Sequence, residues 1–87
     1  MKTVVLYHPK SDHGGKVEDY VRDFKKLKNK ELELLSLETV EGDDMAKLYD
    51  ITQYPAVVAI KEDGQLLKVW QGSELPLMNE VDYYINI

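Results

Sequence analysis

Ser11, Asp12 and His13 stand on consecutive positions, with His8 just upstream, and they put a hydroxyl, a carboxylate and two imidazoles into one short loop. A serine, a histidine and an aspartate are the parts of a nucleophile, its base and its orienter, but three consecutive residues rarely reach relay geometry. The same loop can be read as a metal site, because two imidazoles and a carboxylate suit zinc. A structural zinc site closes with four ligands, however, and no patterned fourth follows, which leaves His8 and His13 as weak metal candidates. Serine and aspartate also have an ordinary use as helix N-caps, accepting bonds from backbone donors that the first turn leaves orphaned. Capping is the reading these residue types favour, and no catalytic residue is assigned.

The elements that must position this loop can be read from periodicity. Thr3 to Tyr7 is an unbroken apolar run ended by His8-Pro9, as expected for a central strand buried on both faces. From Val17, apolar residues recur at Tyr20, Val21, Phe24 and Leu27, which predicts a helix packing that side on the sheet. Lys25, Lys26, Lys28 and Lys30 read as its solvated end, where cations complement the helix dipole. Leu32 to Leu37 is a second strand, and the intervening helix makes it parallel to the first. Glu41, Gly42, Asp43 and Asp44 read as caps and first-turn acids of a short helix burying Met45, Leu48 and Tyr49. Ala56 to Ile60 and Leu66 to Trp70 flank Asp63-Gly64, a hairpin signal that makes them antiparallel. Ser73 is expected to cap a last helix, with Pro76 in its first turn and Leu77, Val81, Tyr84 and Ile85 buried. The order βαβαββα implies an α/β three-layer sandwich, a four-stranded mixed sheet flanked by helices, as one domain over residues 1–87.

Composition narrows the chemistry. The chain has no cysteine, which excludes disulfides, a thiolate nucleophile and thiolate-held metals. Sixteen acidic residues against 11 basic ones give a net charge of −5, so neither nucleic acid nor an anionic membrane is expected as a partner. The N-terminal segment has only a short apolar run before His8-Pro9, too short for a signal-peptide core or a membrane span, and a cytoplasmic location is expected.

Two stretches resemble a known family. "MAKLYDITQYPAVVAIKEDGQLLKVWQG" resembles the C-terminal half of thioredoxin-like proteins: a helix ending in Tyr-x-Ile, a loop to an x-Pro, an apolar strand, a glycine hairpin and a strand ending at glycine. "VVLYHPKSDHGGKVEDYV" resembles the strand, loop and helix of glutaredoxins, in which a Cys-x-x-Cys motif opens the helix. The resemblance implies that Pro55 is the family's cis-proline, with the Tyr54 backbone open to an extended ligand. It also implies that the motif positions fall on Asp12 to Gly15 or, one residue earlier, on Ser11 to Gly14. Neither register holds a cysteine, so the family's dithiol exchange is lost. Gly14-Gly15 lacks a phosphate-loop fingerprint and is expected to open the helix where the backbone passes Pro55.

The function expected is that of a redox-inactive, cysteine-less binding or scaffolding module for a protein or peptide. Its contact surface would comprise Ser11, Asp12, His13, Gly14, Tyr54 and Pro55, with no cofactor. The alternative resembles serine-type glutathione transferases. There Ser11 would donate to the thiolate of glutathione, and Gly72, Ser73 and Glu74 would hold its polar end at a helix start, as a similar loop does in glutaredoxins. Tyr7, Tyr54 and Trp70 are the aromatic residues left to line a ligand groove.

Overall fold

The computed structural model describes residues 2–72 and 74–86; Ser73 lies outside the described residues. The elements in chain order are β1 (Lys2–Tyr7), α1 (Gly14–Lys28), β2 (Glu33–Ser36), α2 (Val40–Leu48), β3 (Ala56–Ile60), β4 (Leu66–Gln71) and α3 (Met78–Ile85). The four strands form one sheet in the order β2-β1-β3-β4, with β1 parallel to β2 and antiparallel to β3, and β3 antiparallel to β4. This is the expected α/β sandwich with a mixed sheet.

The apolar runs of β1 and β3 are continuous because each supplies both faces of the sheet. Val4 and Leu6 join Ala56, Val58 and Ile60 on the face that also buries Ala46 and Ile51. Val5 and Tyr7 join Val57 on the opposite face, with Val17 and Phe24 of α1, Leu32, and Val81 of α3. One layer is thus α2 and the other is α1 with α3. Each fully buried Val, Leu or Phe adds about 1.5–3 kcal/mol relative to an exposed one, so the two clusters hold the sheet from both sides.

The helices depart from the expected phase in places with physical reasons. Leu27 is 72% exposed instead of buried. The fully buried stripe of α1 ends at Phe24, and in the last turn it is Lys28, tied to Asn79, that is half-buried. Leu48 is 73% exposed because the buried stripe of α2 runs through Gly42, Met45, Ala46 and Tyr49, a phase that leaves Leu48 on the solvent side. A Cβ on Gly42 would lie 2.0 Å from the Ser36 carbonyl oxygen, so glycine is what lets α2 approach there. The cap of α2 is Thr39, upstream of the acidic run, and its side chain accepts from the Gly42 N–H at 3.1 Å. Glu41 and Asp43 lie in the first turn as expected.

The last helix begins later than the sequence suggests. Leu77 is the N-cap residue of α3, extended and 71% exposed, and Pro76 precedes the helix instead of sitting in its first turn. A residue before proline is pushed away from helical backbone, which keeps Leu75 out of the helix. The lysine run is not merely a solvated end. Lys28 donates to Asn79, while Lys30 donates to Asp82 at 2.5 Å and to Asn86 at 2.7 Å, so the end of α1 is tied to α3. Tyr20 adds a tie higher up, donating to the Pro76 carbonyl at 2.8 Å; burial, and then Glu80, push its hydroxyl up to about 12.

Candidate functional site

The strand directions bring the end of β1, the start of β3 and the end of β4 to one end of the sheet. Two connections meet there. The first is the turn from β1 to α1, and it is held by its own backbone and side chains. The Ser11 N–H and Oγ both donate to the His8 carbonyl, at 3.1 and 2.7 Å, and the Gly14 N–H donates to the Ser11 carbonyl. The His8 N–H donates to Nε2 of His13 at 3.1 Å. Gly14 is buried against this turn, and a Cβ there would stand 2.2 Å from the Pro9 carbonyl oxygen.

Two expectations about this turn are corrected. Neither Ser11 nor Asp12 caps α1, because the N-cap residue is His13, with no side-chain cap bond, and the Ser11 hydroxyl points back to His8. The close approach that requires glycine is to Pro9 and His8, not to Pro55, and Gly15 meets nothing within 4 Å. The imidazoles do not assemble a ligand set: Nε2 of His13 is taken by a backbone donor, and among the described residues no three His, Cys, Asp or Glu side chains are placed to hold a metal ion. Burial holds His13 below its usual range, the neighbouring His8 lowers it further, and Asp12 partly opposes both.

The second connection runs from the end of α2 into β3. Ile51 is buried and its N–H donates to the Ala46 carbonyl at 2.8 Å. Gln71 of β4 accepts from the Thr52 and Gln53 N–H groups through Oε1, at 2.9 and 3.2 Å. The Tyr54 hydroxyl donates to the Ile51 carbonyl at 2.9 Å. The Tyr54–Pro55 peptide bond is cis, and the Pro55 carbonyl accepts from the Gly72 N–H at 3.2 Å. Gly72 has φ of +114°, a backbone conformation that favours glycine. Among the described residues the backbone N–H and C=O of Tyr54 find no hydrogen-bond partner. The two connections touch through rings: His8 stands edge-on to Tyr54, with centroids 5.5 Å apart.

The structure brings together His8, His13, Tyr54 and Pro55, with Gly72 behind them, and separates other residues of the expected set. Tyr7 packs on the α1 and α3 side of the sheet, its hydroxyl donating to Glu18, whereas Tyr54 packs on the α2 side. They cannot line one groove. Trp70 lies with Tyr7's cluster and meets Tyr84 edge-on. Gly72 and Glu74 lie upstream of Leu77, so no helix N-terminus stands behind them, and Ser73 lies outside the described residues. Glu74 instead borders an open groove of 470 Å³ floored by Tyr20, Leu75 and Met78. Sequence reading missed the pairing of His8 with His13 and the role of Gln71. The first had a signal, two histidines bracketing a turn, whereas the second depends on strand register.

No family model matches the chain, and no curated protein matches it in sequence. Solved structures do match. Thioredoxin 1 from the thermophilic eubacterium Thermosipho africanus TCF52B superposes with a TM-score of 0.65 at 14% identity, over 99% of this chain and 91% of that one. The fold is thioredoxin-like. A designed protein matches as well, with a TM-score of 0.60 at 18% identity, over 98% of this chain and 72% of that one. At such identities the likeness is one of fold, and a fold does not carry an activity with it. This thioredoxin-like chain has no thiol at the turn or anywhere else, so it cannot exchange disulfides. Among its described residues no helix is long and apolar enough to cross a membrane.

Proposed function

We propose that this chain is a thioredoxin-like binding module without redox chemistry, and that it takes an extended peptide or protein segment along the Tyr54 backbone. The observation that carries this reading is the unpartnered N–H and C=O of Tyr54 in a connection whose neighbours are otherwise bonded. A backbone donor and acceptor held in fixed positions suit an added strand, which takes its affinity from main-chain bonds and its specificity from side chains on either side. The turn residues Ser11, Asp12, His13 and Gly14 would flank that strand, with Pro55 beneath it.

The small-thiol alternative needs the Ser11 proton for a ligand thiolate, yet that hydroxyl already donates to the His8 carbonyl. An amide NMR titration separates the two readings. Reduced glutathione is expected to leave Ser11, Tyr54 and Gly72 unmoved, whereas a peptide selected from a random 12-residue phage library is expected to shift Tyr54 and the turn. Saturable shifts at Ser11, Tyr54 and Gly72 with glutathione would overturn the proposal in favour of a thiol-binding enzyme. So would selected peptides that act only on residues remote from Tyr54.

A further inference from the structure

One of the bonds that close the turn facing Tyr54 has an acceptor that can be protonated. Nε2 of His13 accepts from the His8 backbone N–H, and this is the link through which the imidazole of His13 holds the end of β1 near the first residue of α1. A neutral imidazole has one acceptor nitrogen, and an imidazolium has none. On protonation of Nε2 the bond would become a contact between two donors. The surroundings give the cation little help. The His8 ring is 6.2 Å away, α1 has no acidic residue in its first turn, and the positive end of a helix dipole disfavours a cation at its N-terminus. Asp12 is the acid that acts on His13, and it is exposed to solvent. From the connection into β3 the facing group is Tyr54, whose hydroxyl already donates to the Ile51 carbonyl.

We infer that His13 is a proton-sensitive latch: protonation breaks its bond to His8, opens the turn between β1 and α1, and frees the His8 ring from Tyr54. The bond survives at neutral pH and fails in mild acid. The direction follows from linkage. The closed turn binds fewer protons than the open one, so its stability is complete above the ordinary histidine value of 6.5 and is lost as pH falls through the lowered value of His13. Between those two values the open state gains about tenfold per pH unit. The latch itself is independent of the function proposed above, but its consequence rests on that reading. A peptide captured along Tyr54 meets a preorganised turn at neutral pH and a loosened one carrying added positive charge in acid, so capture weakens as the pH falls.

The test has two arms. In the free protein, NMR would follow the His13 ring and the His8 amide from pH 8 to pH 5, together with hydrogen-exchange protection of that amide. The latch predicts one shared midpoint, below 6.5, and a protection factor that falls as His13 protonates. His13→Gln, which keeps an acceptor that does not titrate, is expected to hold the His8 amide unchanged over the whole range; His13→Ala is expected to leave it unprotected throughout. A His8 amide indifferent to the titration of His13, or one that titrates alike in the Gln variant, would overturn the latch. In the second arm an uncharged peptide from the phage selection is expected to bind severalfold more weakly at pH 5.5 than at pH 7.5, an effect absent in His13→Gln. If the first arm holds and no peptide binds at either pH, the latch stands and the function proposed above falls. Binding that does not change with pH would overturn the coupling.

Discussion

The two connections that meet at Tyr54 are built differently. The one entering β3 is anchored by a buried isoleucine and by amide and carbonyl groups that do not titrate: Ala46, Gln71, Ile51 and Gly72. The one entering α1 has no fully buried side chain between Tyr7 and Gly14, and it relies on a serine, a glycine fitted against Pro9 and one histidine nitrogen. The first is a rail whose bonds do not titrate. The second is a flap whose closure depends on protons. On the proposed reading, such a site keeps its main-chain donor and acceptor in place while the wall beside them yields.

Substitutions can break that contrast, beginning with the largest expected effect. Ile51→Ala removes the anchor of the rail and is expected to cost about 2–5 kcal/mol in urea unfolding, as buried large-to-small changes do. Gly14→Ala drives a Cβ into the Pro9 carbonyl and is expected to cost about 1–3 kcal/mol by forcing the turn apart. Gly15→Ala, one residue on and open to solvent, is the control; it is expected to gain up to about 1 kcal/mol from helix propensity. Equal effects at the two glycines would show that the approach to Pro9 does not govern the turn. Gln71→Ala takes an exposed acceptor from two backbone N–H groups that water can then reach, and about 1 kcal/mol is expected. Ser11→Ala, on the exposed turn, is expected to cost less than about 0.5 kcal/mol and to leave glutathione binding absent.

The fold was readable from the sequence because β1 and β3 are unbroken apolar runs and the Asp63-Gly64 hairpin pairs β3 with β4; each signal is local and strong. What the sequence misplaced depends on contacts between elements. The helical phase of α2 is set by Gly42 meeting Ser36, and nothing within the helix pattern distinguishes that phase from one burying Leu48. Pro76 keeps Leu75 out of a helix, a local rule that the capping preference of Ser73 conceals in the sequence. At the site, residue types locate the turn, but Ser11 and Asp12 read as caps because capping preference is silent about a carbonyl folding back within reach. The face occupied by each tyrosine needed strand register: Tyr7 and Tyr54 lie on opposite sides of one sheet.

The most direct measurement is hydrogen exchange at the Tyr54 amide at pH 7.5, with and without a saturating peptide from the phage selection. If Tyr54 is the rail for an added strand, its amide changes from freely exchanging to strongly protected on binding, while the Thr52 and Gln53 amides, already bonded to Gln71, change little. Saturation of the peptide with Tyr54 still exchanging freely would place the binding edge elsewhere and contradict the proposed function.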